Sequence, residues 1–118
     1  MAFSLYDATI PSYQQILGSM SGLLVTAETF CAEKQLAPQT IIDARLAEDM
    51  LPFAYQVKST AVHSLGSIEG VRRGVFSPDT TPPPQTFAAL KARIAETLEA
   101  LDPQYPKPDP DIEGLEIV

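Results

Sequence analysis

The chain has one histidine, one cysteine, and 8 basic residues against 15 acidic ones in its 118 positions. Each scarcity removes a class of function. A lone Cys31 forms no internal disulfide, which fits a reducing, cytoplasmic compartment. A lone His63 cannot by itself build a three-imidazole metal site. At a formal charge of −7 there is no basic surface to displace counterions from nucleic-acid phosphates or to hold an anionic membrane. Long apolar runs are also missing. Positions 8–27 are uncharged and as long as a membrane span, but they hold Pro11, Ser12, Gln14, Gln15, Ser19, Ser21 and two glycines, too polar for hydrocarbon. The first seven residues lack the basic start and apolar centre of a secretory signal. The sequence contains no glycine-rich phosphate loop, zinc-finger spacing, Ser/His/Asp arrangement or internal repeat.

What is present is helical periodicity. An apolar fraction of 45 % and a charged fraction of 19 % are those of an ordinary water-soluble domain, and the length suits one domain. The organising stretch is 44–57, a polar turn that breaks into a helix. Asp49 is expected to cap that helix, with Pro52 in its first turn. Phe53, Ala54, Val57, Ala61, Leu65 and Ile68 then share one face, and the helix is expected to run from about Leu51 to Val71, where Gly70 and Gly74 bracket its end.

A longer helix precedes it. Ser4-x-x-Asp7 is a capping pattern, and Pro11 marks the helix start or a kink near it. Tyr13, Ile16, Leu17, Met20, Leu23, Leu24, Ala27, Phe30 and Cys31 continue the stripe to about Gln35, and a short turn follows at 38–43. Gly18 and Gly22 either admit a close neighbour or are simply tolerated. A stiff connector at 77–84 leads to a third helix, expected to be capped by Thr81 with Pro82 in its first turn. Its stripe is Phe87, Leu90, Ile94, Leu98 and Leu101, with Lys91, Arg93, Glu96 and Glu99 facing water. The reading is an all-α bundle over 1–102 and a proline-rich acidic tail over 103–118, extended at 104–111 with a nascent strand at 114–118.

Several of these segments resemble one family. Ser4-Leu5-Tyr6-Asp7-Ala8 with Pro11, Ala44-Arg45-Leu46 with Asp49-Met50 and Pro52, Gln56-Val57, and Thr86-Phe87 with Leu90, Ala92-Arg93-Ile94-Ala95 and Thr97-Leu98 are similar to a domain-of-unknown-function branch of the DinB/YfiT-like superfamily. The resemblance implies an up-and-down helical bundle, often a homodimer. In it three long helices are matched here, and the usual C-terminal fourth helix has no counterpart before Val118. Relatives hold a divalent metal, zinc or nickel, for thiol transfer or isomerisation. His63 falls in the region of their helix-two ligand, and nothing here matches the other two.

Read as residues, the candidates keep two faces each. His63 lies in line with Gln56, Thr60 and Ser67, either as a histidine beside a polar strip or as a metal ligand or acid–base group. Cys31 is a buried thiol on the apolar stripe, or one half of a Cys–His pair if the helices bring it to His63. A substitute ligand set of His63 and Cys31 with Glu28 or Asp49 has no ligand-like spacing behind it. Arg45 and Asp49 fix a loop or meet a substrate. Tyr13, Phe53 and Tyr55, with Tyr6, pack the core or line a small pocket. The leading expectation is a non-catalytic binding or self-association module that completes its bundle with a second copy. The alternatives are a metal-dependent enzyme using His63 with ligands from another subunit or further sequence, and a metal-free pocket for a small apolar ligand.

Overall fold

Ser4 opens the first helix. Its backbone is extended (φ −79°, ψ 161°) and its Oγ accepts the Asp7 N–H at 3.0 Å, so the Ser-x-x-Asp pattern starts helix α1 (Leu5–Lys34) well before Pro11. Pro11 therefore lies inside the helix rather than at its start. It is exposed, and water can reach the Asp7 carbonyl that loses a helical N–H partner. The computed structural model describes residues 4–102 and the backbone of Glu116–Ile117. Four α1 residues, Ile10, Leu17, Leu24 and Cys31, are buried at seven-residue spacing, the repeat that keeps one seam of a helix against a neighbour. Among the described residues nothing approaches within 4 Å of a Cβ built on Gly18 or Gly22, so neither serves a close approach within them.

Gln35 ends α1 in the left-handed region (φ 56°, ψ 40°), and the Leu36 N–H closes on the Cys31 carbonyl at 2.9 Å. One turn, α2 (Gln39–Ile42), buries Ile42. The next rod comprises α3 (Phe53–Ala61), a π-helical segment (Val62–Gly66) and α4 (Ser67–Arg73), continuous because every junction residue stays right-handed. Its entry corrects the expected cap. Pro52 is extended (φ −69°, ψ 168°) at the N-cap, the exposed Asp49 caps nothing, and the Phe53 N–H instead donates to the Ala44 carbonyl at 2.9 Å. A proline disfavours helical geometry in the residue before it, so the helix cannot extend back to Asp49.

Gly74 (φ 86°) terminates α4, and β1 (Val75–Phe76) turns back along the rod. Gly70 lies inside the helix, where a Cβ would stand 2.9 Å from Phe76 Cβ and 3.2 Å from the Val75 carbonyl oxygen. Only glycine allows that approach. β1 pairs in parallel with β2 (Glu116–Ile117), Val75 opposite Glu116 and Phe76 opposite Ile117. The strand expected at 114–118 is realised at those two residues, and the expected extended tail at 104–111 lies outside the described residues.

Thr86, not Thr81, caps α5 (Phe87–Leu101): its Oγ1 accepts the Ala89 N–H at 3.1 Å. Pro82–Pro84 supply no N–H and hold their predecessors extended, so no helix forms until the prolines are past. Thr81 instead donates to the Asp79 carboxylate through both its N–H and its hydroxyl. α5 packs chiefly on α1 and then on α3, through Phe87, Leu90, Ile94, Thr97 and Leu101. The Thr97 hydroxyl is buried because it donates to its own helix, at the Arg93 carbonyl (2.7 Å). The fold is all-α, and its core joins the three long helical elements with Ile42.

The connector between β1 and α5 is held by Lys58, which is 2 % exposed. Its ammonium donates to the Asp79 carbonyl at 2.8 Å and to the Thr81 carbonyl, and stands 3.5 Å from the Asp79 carboxylate. Lys58→Met should leave the Asp79 and Thr81 carbonyls without this donor and lower unfolding free energy by about 2–3 kcal/mol in urea denaturation. Lys91→Met, which breaks the exposed pair with Glu28, should cost less than about 1 kcal/mol in the same assay.

Candidate functional site

The apolar sector of α1 is wider than the core it serves. Beyond the buried row, and past half-buried Tyr13, Met20 and Ala27, come Ile16, Leu23 and Phe30, again seven apart and 57 %, 48 % and 43 % exposed. Between this flank and the α3–α4 rod runs a groove of about 240 Å³ lined by Tyr13, Ile16, Leu17, Thr60, His63 and Ser64. The Tyr13 hydroxyl meets Ser67 Oγ at 3.3 Å, a hydrogen bond between α1 and the rod.

The π-helical segment sets the groove's second wall. Widening the helix breaks the regular carbonyl–N–H pairing, and neighbouring hydroxyls occupy the carbonyls. Ser64 Oγ donates to the Thr60 and Ala61 carbonyls at 2.6 and 3.1 Å, and Ser67 Oγ to the Ser64 carbonyl at 2.8 Å. His63 projects from this segment into solvent at the groove, its ring tilted 54° to Phe76 with centroids 5.9 Å apart. One wall is thus hydrocarbon, and the other carries hydroxyls and an imidazole.

The other candidates lie apart from His63. Cys31 is buried 14 residues beyond Leu17 on α1, roughly 21 Å farther along the helix, so the structure forms no Cys–His pair. Glu28 pairs with Lys91 at 2.7 Å. Asp49 is exposed in the 43–52 loop, where the Arg45 guanidinium reaches the Glu48 carbonyl at 3.5 Å. Tyr13, Phe53 and Tyr55 do not share one cavity: Tyr13 lines the groove, Phe53 lines a cavity beside the loop, and Tyr55 lies 5.4 Å below the Lys58 ammonium. Among the described residues no three His, Cys, Asp or Glu side chains converge as a metal would require. His63 is one ligand at most, and a metal would need the others from another chain or from outside the described residues. No helix of the described residues is long and apolar enough to cross a membrane.

The chain belongs to the DUF1993 family. That family is described as a domain of unknown function, and its model matches residues 5–113. No curated protein and no solved structure matches the chain.

A second polar cavity, about 250 Å³, lies between the rod and α5. Half-exposed Arg93 lines it together with Thr97, Asp79, Glu69 and Arg73. Two ion pairs neutralise four of the nearby charges: Lys58 with Asp79, and Arg73 with Glu69 at 3.8 Å. The Thr81 hydroxyl and N–H, aided by Lys58, hold the Asp79 carboxyl down to about 2. A carboxyl lowered on folding stabilises the fold above its unfolded value of 3.8, and that contribution disappears as pH falls toward about 2. Asp79→Asn should therefore be less stable than the parent at neutral pH. The gap should close between about pH 4 and pH 2, as followed by urea midpoints across that range.

Proposed function

We propose that this domain is a self-association module in which the open flank of α1 packs against the same flank of a second copy. The observation that carries this is the second heptad row, Ile16, Leu23 and Phe30, which the chain's described residues leave uncovered. A contiguous apolar stripe in an otherwise charged surface favours association, and seven-residue spacing suits one helix lying along another. Charge supports a second copy as the partner. Two chains of formal charge −7 repel over most of their surfaces, but positions 8–27 contain no charged residue, so the part of the row at Ile16 and Leu23 can face its copy without like-charge contact.

The row beside the stripe fits the same use. Ser19 Oγ donates to the Gln15 carbonyl at 3.1 Å and Thr26 Oγ1 to the Gly22 carbonyl at 3.1 Å. These hydroxyls are already bonded within their own helix, so covering them leaves no donor stranded. The similarity to DinB-like bundles points the same way, since such bundles complete their core with one further helix and often dimerise. On this reading a second copy's α1 supplies the cover.

A second reading keeps His63 as a ligand of a divalent metal in a DinB-like enzyme. Its support is that His63 lines the same groove a second copy would approach, where ligands from that copy could reach it. Elemental analysis of tag-free protein separates the two: stoichiometric zinc or nickel that His63→Ala abolishes favours the metal reading.

For self-association, sedimentation velocity at micromolar concentration should give a dimer. Leu23→Glu, at a position half exposed in the single chain, should convert it to monomer with helical content unchanged. A compact wild-type monomer under those conditions would overturn the proposal.

A further inference from the structure

The loop at 43–52 belongs to the stretch around which the sequence is organised, and association through α1 leaves it without a role. Its polar groups are engaged in holding its own shape. The Phe53 N–H donates to the Ala44 carbonyl at 2.9 Å and the Met50 N–H to the Ala47 carbonyl at 3.1 Å. Gln56 Nε2 donates to the Leu51 carbonyl at 3.1 Å, and Arg45 turns toward the Glu48 carbonyl. The apolar side chains of the same loop are not engaged. Leu46 is 94 % exposed and Leu51 50 % exposed, an arrangement that core packing does not explain.

These side chains bound a cavity of about 170 Å³, walled by Ile41, Ala44, Leu46, Met50, Leu51 and Phe53. Its surface is almost entirely carbon, for Arg45 and Gln56 also line it yet contribute very little polar surface. Ile41 and Phe53 at its floor pack against the main core, so an occupant would extend that core. We propose that this cavity is a binding site for a small uncharged apolar molecule of about one ring. Size supports the assignment: an apolar cavity of roughly 150 Å³ takes up benzene. Chemistry sets the charge. The walls that Arg45 and Gln56 share with the apolar side chains show almost no polar surface, so a carboxylate or ammonium seated on them loses hydration over most of its contact.

The test uses toluene as the apolar probe and benzoate as its charged counterpart, with the full chain labelled at methionine and leucine methyls. Toluene should raise the melting temperature and shift the Met50, Leu46 and Leu51 methyl resonances saturably, and benzoate should do neither. Ala44→Leu fills the cavity and should weaken toluene binding about tenfold or more. Should Ala44→Leu disturb the fold, Leu46→Ser, at a position almost free of packing, serves instead and should weaken binding in the same direction. The proposal falls if toluene produces no saturable shift at these methyls, or if it binds both variants as tightly as the parent. It also falls if Leu46→Ser dissolves a dimer while toluene has no effect, since the cavity would then be a contact between copies. Sedimentation of Leu23→Glu with and without toluene separates this site from the α1 interface, because the cavity does not include that flank.

Discussion

One buried ammonium group governs how the chain after α4 returns to the bundle. The connector carries Pro78, Pro82, Pro83 and Pro84, four residues without an N–H, so it has few donors with which to attach itself to a helix. What it has is carbonyls. Lys58 offers three donors in one place and meets three acceptors: the Asp79 and Thr81 carbonyls and the Asp79 carboxylate. Burial of a lysine is costly when the charge is left unpaired, and here every donor is matched, with the Tyr55 ring 5.4 Å away as a further favourable surface. The connector is thereby held against α3, Thr86 follows as the cap, and α5 starts where Phe87 and Leu90 reach the core.

The helices themselves were legible because apolar spacing is a local signal. The stripes of α1 and α5 and the existence of a second long rod follow from it. The ends were less so, for a consistent reason. Asp49 and Thr81 both have the side chain of a cap, but each precedes a proline that holds the intervening backbone extended, and the real entries fall at Pro52 and Thr86. The burial of Lys58 is likewise invisible to apolar spacing, which carries no sign of a partner far along the chain. Lys58 follows Val57 directly, and only the carbonyls of a segment twenty residues later make its burial favourable. Gly70 has the look of a helix terminator, and its use is instead a close approach by Phe76 that no local pattern encodes.

Of the groove's residues, helical phase sets His63 in line with Thr60, whereas Tyr13 was grouped with Phe53 and Tyr55 rather than with His63. The sequence did not reveal the π-helical segment. Ser64 and Ser67 carry that feature by donating to carbonyls of their own helix, and serine in a helix interior has many simpler explanations. The meeting of Ile41 with Phe53 at the loop cavity, joined only by tertiary placement, was likewise beyond a one-dimensional reading, which set Phe53 beside Tyr13 and Tyr55.

The two rows of α1 impose a constraint that bears on any function. At 100° per residue, the span from Ile10 to Phe30 opens an apolar sector of roughly 160°, more than the stripe of about 100° that one neighbouring layer usually covers. α5 and α3 cover the part centred on Leu17 and Leu24, and of the exposed row Ile16 lines the groove that Thr60, Ser64 and His63 close from the far side, while Leu23 and Phe30 continue the stripe beyond it. An occupant of the groove meets mostly carbon, because the Thr60, Ser64 and Ser67 hydroxyls are bonded to carbonyls of their own helix and the His63 ring is the polar group left to match. A purely polar segment would leave the row of Ile16, Leu23 and Phe30 wet. α1 presents an uncharged apolar row bordered by self-bonded hydroxyls, Ser19 and Thr26, so an apolar surface can cover it without stranding a donor. Self-complementarity of this kind is what a two-fold interface needs, since each helix must serve as both surface and cover.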